Sequence, residues 1–392
     1  MRPSHVWPTL ATLAMFVALG VLDPTLALFI DTELGHGGWV LGLAIGARTV
    51  GACVAAPIAG FLTTRCGTAR VTIIGLVLVA LSIAGYLVVD DVAPLILLRL
   101  LGGIGEAAAF VGLIRSGYDL ATPAGAQRAT VVLTTALFVG LGSGAVLGES
   151  VRLTYGFPGV WIVAACTALL GAAAALPLLR VAAVTRRARV SLRSTPLLHG
   201  GSLGFAGVVV FGMAAFAAFS TFVPIRAAEL GLTDSGSIFA LSAGIIIAIR
   251  VLAAVFGEVG APSRIVVFSL LACGGGWTLV AVLPSVVGLY LGVAVASVGF
   301  ALLYPTLLHA AVGGAGDANR GGAVATLTLA YDAAQGVGAI ALGGAASVAG
   351  GASGAFVLAA ALPLLGVVAA VAVFRRTSRD RHGTMVSDGQ HG

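Results

Sequence analysis

The chain has 392 residues, of which 59% are hydrophobic and only 9% are charged. A soluble domain carries about 25% charged residues, so this composition excludes an ordinary soluble protein and indicates one that crosses a membrane many times. The net charge of +6 comes from arginine, because the sequence contains no lysine. A Walker-type phosphate loop needs a lysine, which excludes ATP hydrolysis through that motif, and we expect no enzymatic activity.

Apolar stretches long enough to cross a bilayer recur along the whole chain. A membrane-spanning helix needs roughly 20 apolar residues, whereas a strand of an outer-membrane barrel needs only about 10 in alternation. The stretches are of the first kind and predict an all-α polytopic membrane protein. The first contains an aspartate and a proline, so we expect it to be retained rather than cleaved as a signal peptide. The twelve predicted transmembrane helices lie near residues 8–30, 39–61, 70–89, 93–114, 129–150, 158–179, 201–224, 236–257, 264–283, 286–309, 321–348 and 354–374.

The predicted helices fall into two sets of six. The longest polar connection, residues 180–199, separates them. We therefore expect two pseudo-symmetric six-helix bundles, 1–179 and 200–374, joined by a basic cytoplasmic linker and followed by a cytoplasmic tail at 375–392. Parallel halves of this kind are common in secondary transporters.

Arginine placement predicts the orientation. When the N-terminus is placed in the cytoplasm, Arg152 and Arg226 are the only loop arginines on the opposite side. Cationic loop residues accumulate on the cytoplasmic side, so both termini and the 180–199 loop are predicted to be cytoplasmic, in a bacterial inner membrane. The same charges can contact anionic membrane lipid, and they do not indicate nucleic-acid binding. Two halves in one chain form their own pathway, so we expect a monomer.

Seven ionisable residues fall inside the predicted helices. Charged side chains are costly in a bilayer, and inside a transmembrane segment they indicate a functional site. Burial favours the protonated form of an acid and a nearby arginine favours the ionised form, so an acid whose arginine partner changes between states works as a proton switch. The candidate acids for proton coupling are Asp23, Glu106, Glu149 and Asp332, and the candidate partners are Arg48, Arg99 and Arg250.

Each of these residues has a structural alternative. Glu106 and Asp332 can form buried ion pairs that only hold two helices together. Arg48 and Arg250 can instead clamp the cytoplasmic gate. Glu149 lies near the predicted outer end of the fifth helix, where we expect a solvated position at the mouth of the pathway.

Two local patterns predict how helices bend and pack. Asp23 is followed by Pro24, which removes a backbone hydrogen bond, bends the first helix and is expected to turn the carboxylate towards a cavity. Gly140, Gly144 and Gly148 recur every four residues and present a smooth face to a neighbouring helix. That face permits sliding between helices and is equally compatible with static packing.

Aromatic and amide side chains supply the candidate substrate contacts. Tyr304, Tyr331 and Gln335 lie in the tenth and eleventh predicted helices, and Phe219 belongs to a run of phenylalanines in the seventh. An aromatic ring can hold an apolar or cationic ligand, although packing against lipid or neighbouring helices is the simpler interpretation for Phe219. The four cysteines are scattered without metal-ligand or CxxC spacing, so no metal site and no cofactor is predicted.

Three segments resemble motifs of the major facilitator superfamily. Residues 60–70 (GFLTTRCGTAR) resemble the family's loop motif G-x-L-x-D-R-x-G-R-[KR]-x, with Thr64 in place of the aspartate. Residues 99–107 (RLLGGIGEA) are similar to the motif R-x-x-x-G-x-G, whose buried arginine is implicated in proton coupling. Residues 140–149 (GLGSGAVLGE) resemble the antiporter motif G-x-x-x-G-P-x-x-G-G, with Ala145 in place of the proline and a glutamate in place of the last glycine.

The resemblance implies the major facilitator fold, in which two bundles give alternating access to a central cavity. It implies that Arg99 takes part in proton coupling. It also implies gating roles for Gly60, Arg65, Gly67 and Arg70 of the loop motif.

These observations predict a proton-driven secondary transporter that needs no cofactor. The expected activity is export of a small lipophilic or cationic compound in exchange for protons. One alternative within transport is a proton symporter that imports a small metabolite, which the altered antiporter motif leaves open. The alternative from another class is a non-transporting membrane sensor or lipid-handling scaffold.

Overall fold

A computed structural model describes residues 6–120, 126–182, 200–256, 260–315 and 320–388. Every regular element within these ranges is helical. Helices are favoured because an apolar segment in a bilayer finds no water for its backbone N–H and C=O groups and must pair them internally.

Within the described residues, the first half contains five long α-helices and a short one. The chain turns sharply within α5, where Gly156 adopts a φ of 68° that only glycine takes up readily. This residue divides the helix into two arms, which correspond to the predicted helices near 129–150 and 158–179. The helices are α1 (Val6–Thr32), α2 (Gly38–Cys66), α3 (Thr68–Gly85), α4 (Val92–Leu120), α5 (Ala126–Ala175) and α6 (Leu178–Ala182).

The second half contains six long helices. The last of them continues to Asp388, beyond the predicted end of the bundle at residue 374. The predicted linker, 180–199, lies outside the described residues from position 183 onward. The helices are α7 (Leu203–Glu229), α8 (Gly236–Phe256), α9 (Pro262–Val282), α10 (Val286–Gly314), α11 (Arg320–Ala349) and α12 (Ala352–Asp388).

The prediction of twelve crossings in an all-α fold is confirmed. Ten helical segments among the described residues are long and apolar enough to cross a membrane. One of these, Val132–Arg180, has 49 residues and is long enough for two crossings around Gly156. The remaining helix, α11, is rich in glycine and alanine and carries Asp332, which lowers its hydropathy, but its 30 residues suffice to span a bilayer.

Helix pairs within and between the halves position the interior side chains. In the first half α1 packs along α5, and α2 and α3 pack on α4. In the second half α9 packs on α10 and α12, while α7 packs on α11 and α12. The two halves meet mainly where α2 packs on α11, α5 on α8 and α1 on α7.

Glycines allow the closest of these approaches. A Cβ at Gly144 of α5 would lie 2.9 Å from the backbone nitrogen of Val21 in α1 and nearer still to the carbonyl oxygen of Val17. By contrast, a Cβ at Gly244 of α8 would meet nothing within 4 Å. The glycine at position 144 is therefore required by packing, whereas the one at 244 is not.

We expect Gly144→Ala to destabilise the protein by about 1–3 kcal/mol, because the added methyl group overpacks a helix contact. The matched control Gly244→Ala should be neutral or stabilise by up to about 1 kcal/mol, since alanine is the better helix former. Thermal unfolding of the purified proteins in detergent micelles measures both. Equal effects of the two substitutions would contradict the packing role of Gly144.

Candidate functional site

An ion pair within the first half forms the centre of the candidate site. Arg48 of α2 donates from Nη1 to both carboxylate oxygens of Glu106 in α4, at 2.6 and 2.5 Å. The two side chains remain 25% and 16% exposed, so they are not sealed between the helices. The structure thus places Arg48 beside a predicted proton-coupling acid, about three helical turns from the start of α2.

Arg99 is compensated in a different way. It is 4% exposed and donates to two backbone carbonyls of α2, from Nη2 to Ile45 at 3.1 Å and from Nε to Ala44 at 3.4 Å. It also interacts with Tyr86 at the end of α3. The arginine of the R-x-x-x-G-x-G segment therefore fixes α4 to α2.

Two further carboxylates approach the Arg48–Glu106 pair. Asp23 lies in α1, which continues as one helix through Pro24, and it is within electrostatic range of Arg48 and Arg99. Asp332 of α11, in the second half, is within electrostatic range of Arg48 and Glu106. Neither Asp23 nor Asp332 forms a hydrogen bond or ion pair with another described residue.

We call these five side chains the charge cluster: Asp23, Arg48, Arg99, Glu106 and Asp332. It contains three carboxylates and two guanidinium groups, so one carboxylate is in excess when all five are ionised. Four members belong to the first half and one to the second. Relative movement of the halves therefore changes the electrostatics of the cluster.

Arg250 and Tyr331 extend this polar region in the second half. The guanidinium carbon of Arg250 in α8 lies 4.3 Å from the centre of the Phe138 ring in α5, across the two halves. Tyr331, within electrostatic range of Arg250, packs edge-on against Tyr304 with ring centres 4.9 Å apart. The Tyr304 hydroxyl is 3.0 Å from the Thr328 hydroxyl.

Two of the predicted substrate contacts differ in their surroundings. Gln335, one turn after Tyr331 on α11, is partly buried. Phe219 is 9% exposed and belongs to an aromatic cluster of the second half, with its ring 4.4 Å from that of Phe239 and 5.7 Å from that of Phe216. Helix packing accounts for the burial of Phe219.

The expectation of a solvated Glu149 is wrong. Its side chain is 1% exposed because the start of α8 covers it. Glu149 pairs with Arg152 at 2.6 Å and accepts hydrogen bonds from the hydroxyl and backbone N–H of Ser235, at 2.6 and 3.3 Å. Arg152 in turn donates to the carbonyl oxygen of Thr233 at 2.6 Å. Backbone N–H groups at a helix start are open donors, so a carboxylate from the other half satisfies them.

A second contact closes the same end of the molecule. The backbone N–H of Trp39, in the first turn of α2, donates to the Ser347 hydroxyl of α11 at 2.9 Å. We call the Glu149–Arg152–Ser235 and Trp39–Ser347 contacts together the outer closure. On the arginine-based orientation, this end faces away from the cytoplasm.

The loop-motif residues lie at the opposite end. Gly67, with a φ of 92°, makes the turn between α2 and α3. Thr64 donates to the carbonyl oxygen of Phe61 in its own helix, and Arg65 stacks on the Phe61 ring at 4.6 Å. Arg115 of α4 donates to Thr63 at 3.1 Å and ties α4 to this end of α2. Gly60 has open space around it and Arg70 is exposed.

The glycine face lies inside the first half. Gly140, Gly144 and Gly148 all pack against α1. By contrast, Gly142 approaches the other half, where a Cβ would lie 2.7 Å from the Cβ of Ala243 in α8. The contacts of the glycine face are those of helix packing within one bundle.

Sequence reasoning missed Phe138, Ser235 and Ser347. Phenylalanine and serine are common at ordinary helix-packing positions, and nothing in the sequence indicates that these three residues face the other half. The one available signal was for Ser235, because serine directly before an apolar helix is a common cap.

Comparison with known proteins covers both halves. The family model for the Major Facilitator Superfamily matches residues 9–339. An uncharacterized MFS-type transporter of Burkholderia mallei is 26% identical over 400 residues, covering 94% of this chain and 91% of the relative. The solved nucleoside transporter NupG matches with a TM-score of 0.78 at 15% identity, covering 95% of this chain and 99% of that one. A solved proton dependent oligopeptide transporter gives a TM-score of 0.74 at 15% identity, covering 97% and 100%. At these identities the structural similarity shows the fold.

We expect Arg48→Gln to destabilise the protein more than Glu106→Gln. Loss of Arg48 leaves three carboxylates near one arginine, whereas loss of Glu106 leaves Asp23 and Asp332 as partners for Arg48. Removing one partner of a largely buried charged pair costs about 1–3 kcal/mol or more. Thermal unfolding of both single variants and of the double variant forms a double-mutant cycle. The loss of stability in the double variant should be smaller than the sum of the losses in the single variants. Strict additivity would contradict the pairing.

Ser235→Ala should weaken the outer closure, because it removes a hydrogen bond to a buried carboxylate worth about 1.5–3 kcal/mol. Its matched control is Ser237→Ala, which removes a 2.6 Å contact with Tyr290 inside the same half. Spin labels at positions 88 and 282, in a cysteine-free background, report the separation of the two halves at this end. We expect longer distances to be populated only in Ser235→Ala, and identical distributions in both variants would exclude the contact as a closure.

Proposed function

The chain belongs to the Major Facilitator Superfamily and is a membrane transporter rather than an enzyme, and on this premise we propose that it is driven by protons and works by alternating access. The observation that carries the proposal is the excess carboxylate of the charge cluster. An uncompensated carboxylate inside a membrane protein is costly, and taking up a proton removes that cost.

Asp23 and Asp332 are the proposed proton carriers. Both lie within range of Arg48, yet neither is paired with it. Glu106 is the acid that Arg48 holds, and we propose that it keeps the arginine in place for the other two. Because Asp332 belongs to the second half, rocking of the halves moves it relative to Arg48 and so changes its tendency to bind a proton.

The outer closure supports a cycle in which this end must open. Glu149 then acts in the closure rather than as a proton carrier. Gly60, Arg65, Gly67 and Arg70 are proposed to act in the gate at the other end of the molecule. With both termini in the cytoplasm, as the arginines indicate, the present conformation is closed to the outside.

Export in exchange for protons is one coupling that the charge cluster supports. A cationic or lipophilic cationic compound neutralises the excess carboxylate as a proton does, so the two compete, which is the basis of antiport. This is the activity favoured by the likeness of residues 140–149 to the antiporter motif.

Import together with protons is the second candidate, and Arg250 favours it. Arg250 interacts with Tyr331, which is itself within electrostatic range of Asp332, so it repels a cationic substrate there and lowers the advantage of exchange. The similarity of fold to a proton dependent oligopeptide transporter is compatible with this coupling.

The proposed location is a bacterial inner membrane. The relative from Burkholderia mallei supports a bacterial membrane, and the arginine asymmetry supports cytoplasmic termini. Two complete halves in one chain support a monomer surrounded by lipid.

Proton movement in proteoliposomes tests the function. With a pH-sensitive dye inside and an imposed pH gradient, lipophilic cations, antibiotics and metabolites are added in turn. We expect compound-dependent proton movement in the wild type, its loss in Asp332→Asn and Asp23→Asn, and its retention in the control Asp90→Asn, which lies in an exposed loop. Protons that leave the vesicles when a compound is added outside indicate exchange, and protons that enter the vesicles with the compound indicate co-transport. Wild-type movement in both aspartate variants would overturn the proposal.

A further inference from the structure

Arg250 is an intramembrane cation without a counter-ion among the described residues. Arg48 is paired with Glu106, and Arg99 donates to backbone carbonyls. The Nε of Arg250 is buried and has no hydrogen-bond partner in the part of the chain that the structure describes. Its guanidinium carbon lies 4.3 Å from the centre of the Phe138 ring.

Stacking on an aromatic ring compensates a buried guanidinium only partly. The face of a ring attracts the cation but accepts no hydrogen bonds in the guanidinium plane. The buried Nε–H of Arg250 therefore lacks an acceptor and its charge lacks a counter-ion among the described residues, and an unpaired charge within a transmembrane helix indicates a functional site.

The surroundings of Arg250 are those of a ligand site. Phe138 comes from α5, Tyr331 from α11 and Tyr304 from α10, while Arg250 lies on α8. These residues combine aromatic faces with phenolic hydroxyls and one fixed cation. Sites for small organic ligands have this character, with mostly apolar walls and a few placed polar groups.

We propose that Arg250 binds the carboxylate of a small organic anion, which is the substrate. This inference rests on the proposed transport function. The planar guanidinium matches the two oxygens of a carboxylate, Phe138 supports the guanidinium from one side, and the faces of Tyr331 and Tyr304 contact the apolar part of the molecule. An inorganic anion would leave these faces unused.

The charges then determine the coupling. The charge cluster has an excess of one negative charge, which a proton neutralises. Arg250 interacts with Tyr331, which is also within electrostatic range of Asp332, and its positive charge is neutralised by the anion. Binding of either the proton or the anion leaves the other unpaired charge without a long-range counterpart in a low-dielectric interior. Each therefore favours binding of the other, which makes co-transport of proton and anion the coupling.

Ligand-induced stabilisation of the purified protein in detergent micelles tests the anion site without a proton gradient. The probes are benzoate, phenylacetate and butyrate, with benzyl alcohol and benzylammonium as the neutral and cationic counterparts, all at equal ionic strength. We expect at least one carboxylate to raise the unfolding temperature of the wild type and its neutral and cationic counterparts to fail.

The response should require Arg250. In Arg250→Gln the apparent affinity for the carboxylate should fall at least about tenfold, whereas the control Arg180→Gln, at an exposed position of α6, should keep it. If Arg250→Gln does not fold, Arg250→Lys tests the site instead, because lysine keeps the positive charge but cannot form the two parallel hydrogen bonds of a guanidinium with a carboxylate. A tenfold weaker response in Arg250→Lys supports the site, and an unchanged one overturns it.

Three results overturn the proposal: no response of the wild type to any carboxylate, an equal response to the cationic or neutral counterpart, or an undiminished response in Arg250→Gln. The anion site and the proton-coupled function fail separately. If no carboxylate binds, compound-dependent proton movement can still be compared between the wild type and Asp332→Asn. If the proton assay shows no movement, carboxylate binding in micelles can still be measured.

Discussion

The cost of placing a charged side chain in a membrane governs the interior of this protein. The intramembrane charges whose side chains are described are compensated in different ways, or not at all. Arg48 and Glu106 neutralise each other, Arg99 uses backbone carbonyls, and Glu149 is satisfied by a helix start in the other half. Asp23, Asp332 and Arg250 have no such partner among the described residues, and these unbalanced groups are the ones to which we assign protons and substrate.

The same cost explains why the two halves are not interchangeable. The first half contributes four of the five members of the charge cluster, and contacts within that half hold Arg48, Arg99 and Glu106. The second half contributes isolated polar groups, Asp332, Arg250 and the tyrosine pair, that face the first. Because most charges of the first half are paired and the second half presents single unpaired groups, movement between the halves changes few interactions at a time.

The architecture was accessible from the sequence because it depends on composition along the chain. Length and continuity of the apolar segments predicted twelve crossings, and intramembrane position alone identified Asp23, Arg48, Arg99, Glu106 and Asp332. The pairing was not accessible, since the rotation of each helix about its axis decides which side chains meet. Glu149 illustrates this. Its place near a helix end predicted solvent contact, but a serine 86 positions later in the chain buries it.

The helix pair α5 and α8 carries contacts of two kinds. Phe138 meets Arg250 at one level and Glu149 meets Ser235 at another, with the close approach of Gly142 to Ala243 between them. The intervening segments rise about 16 Å on α5 and about 22 Å on α8. Because both segments are continuous helices, a tilt at one of these contacts also displaces the other. Inserting a single residue between positions 138 and 149 would turn one contact by about 100° relative to the other. The number of residues between the two contacts is therefore constrained as closely as the identity of Gly142 and Gly144, which leave no room for a Cβ.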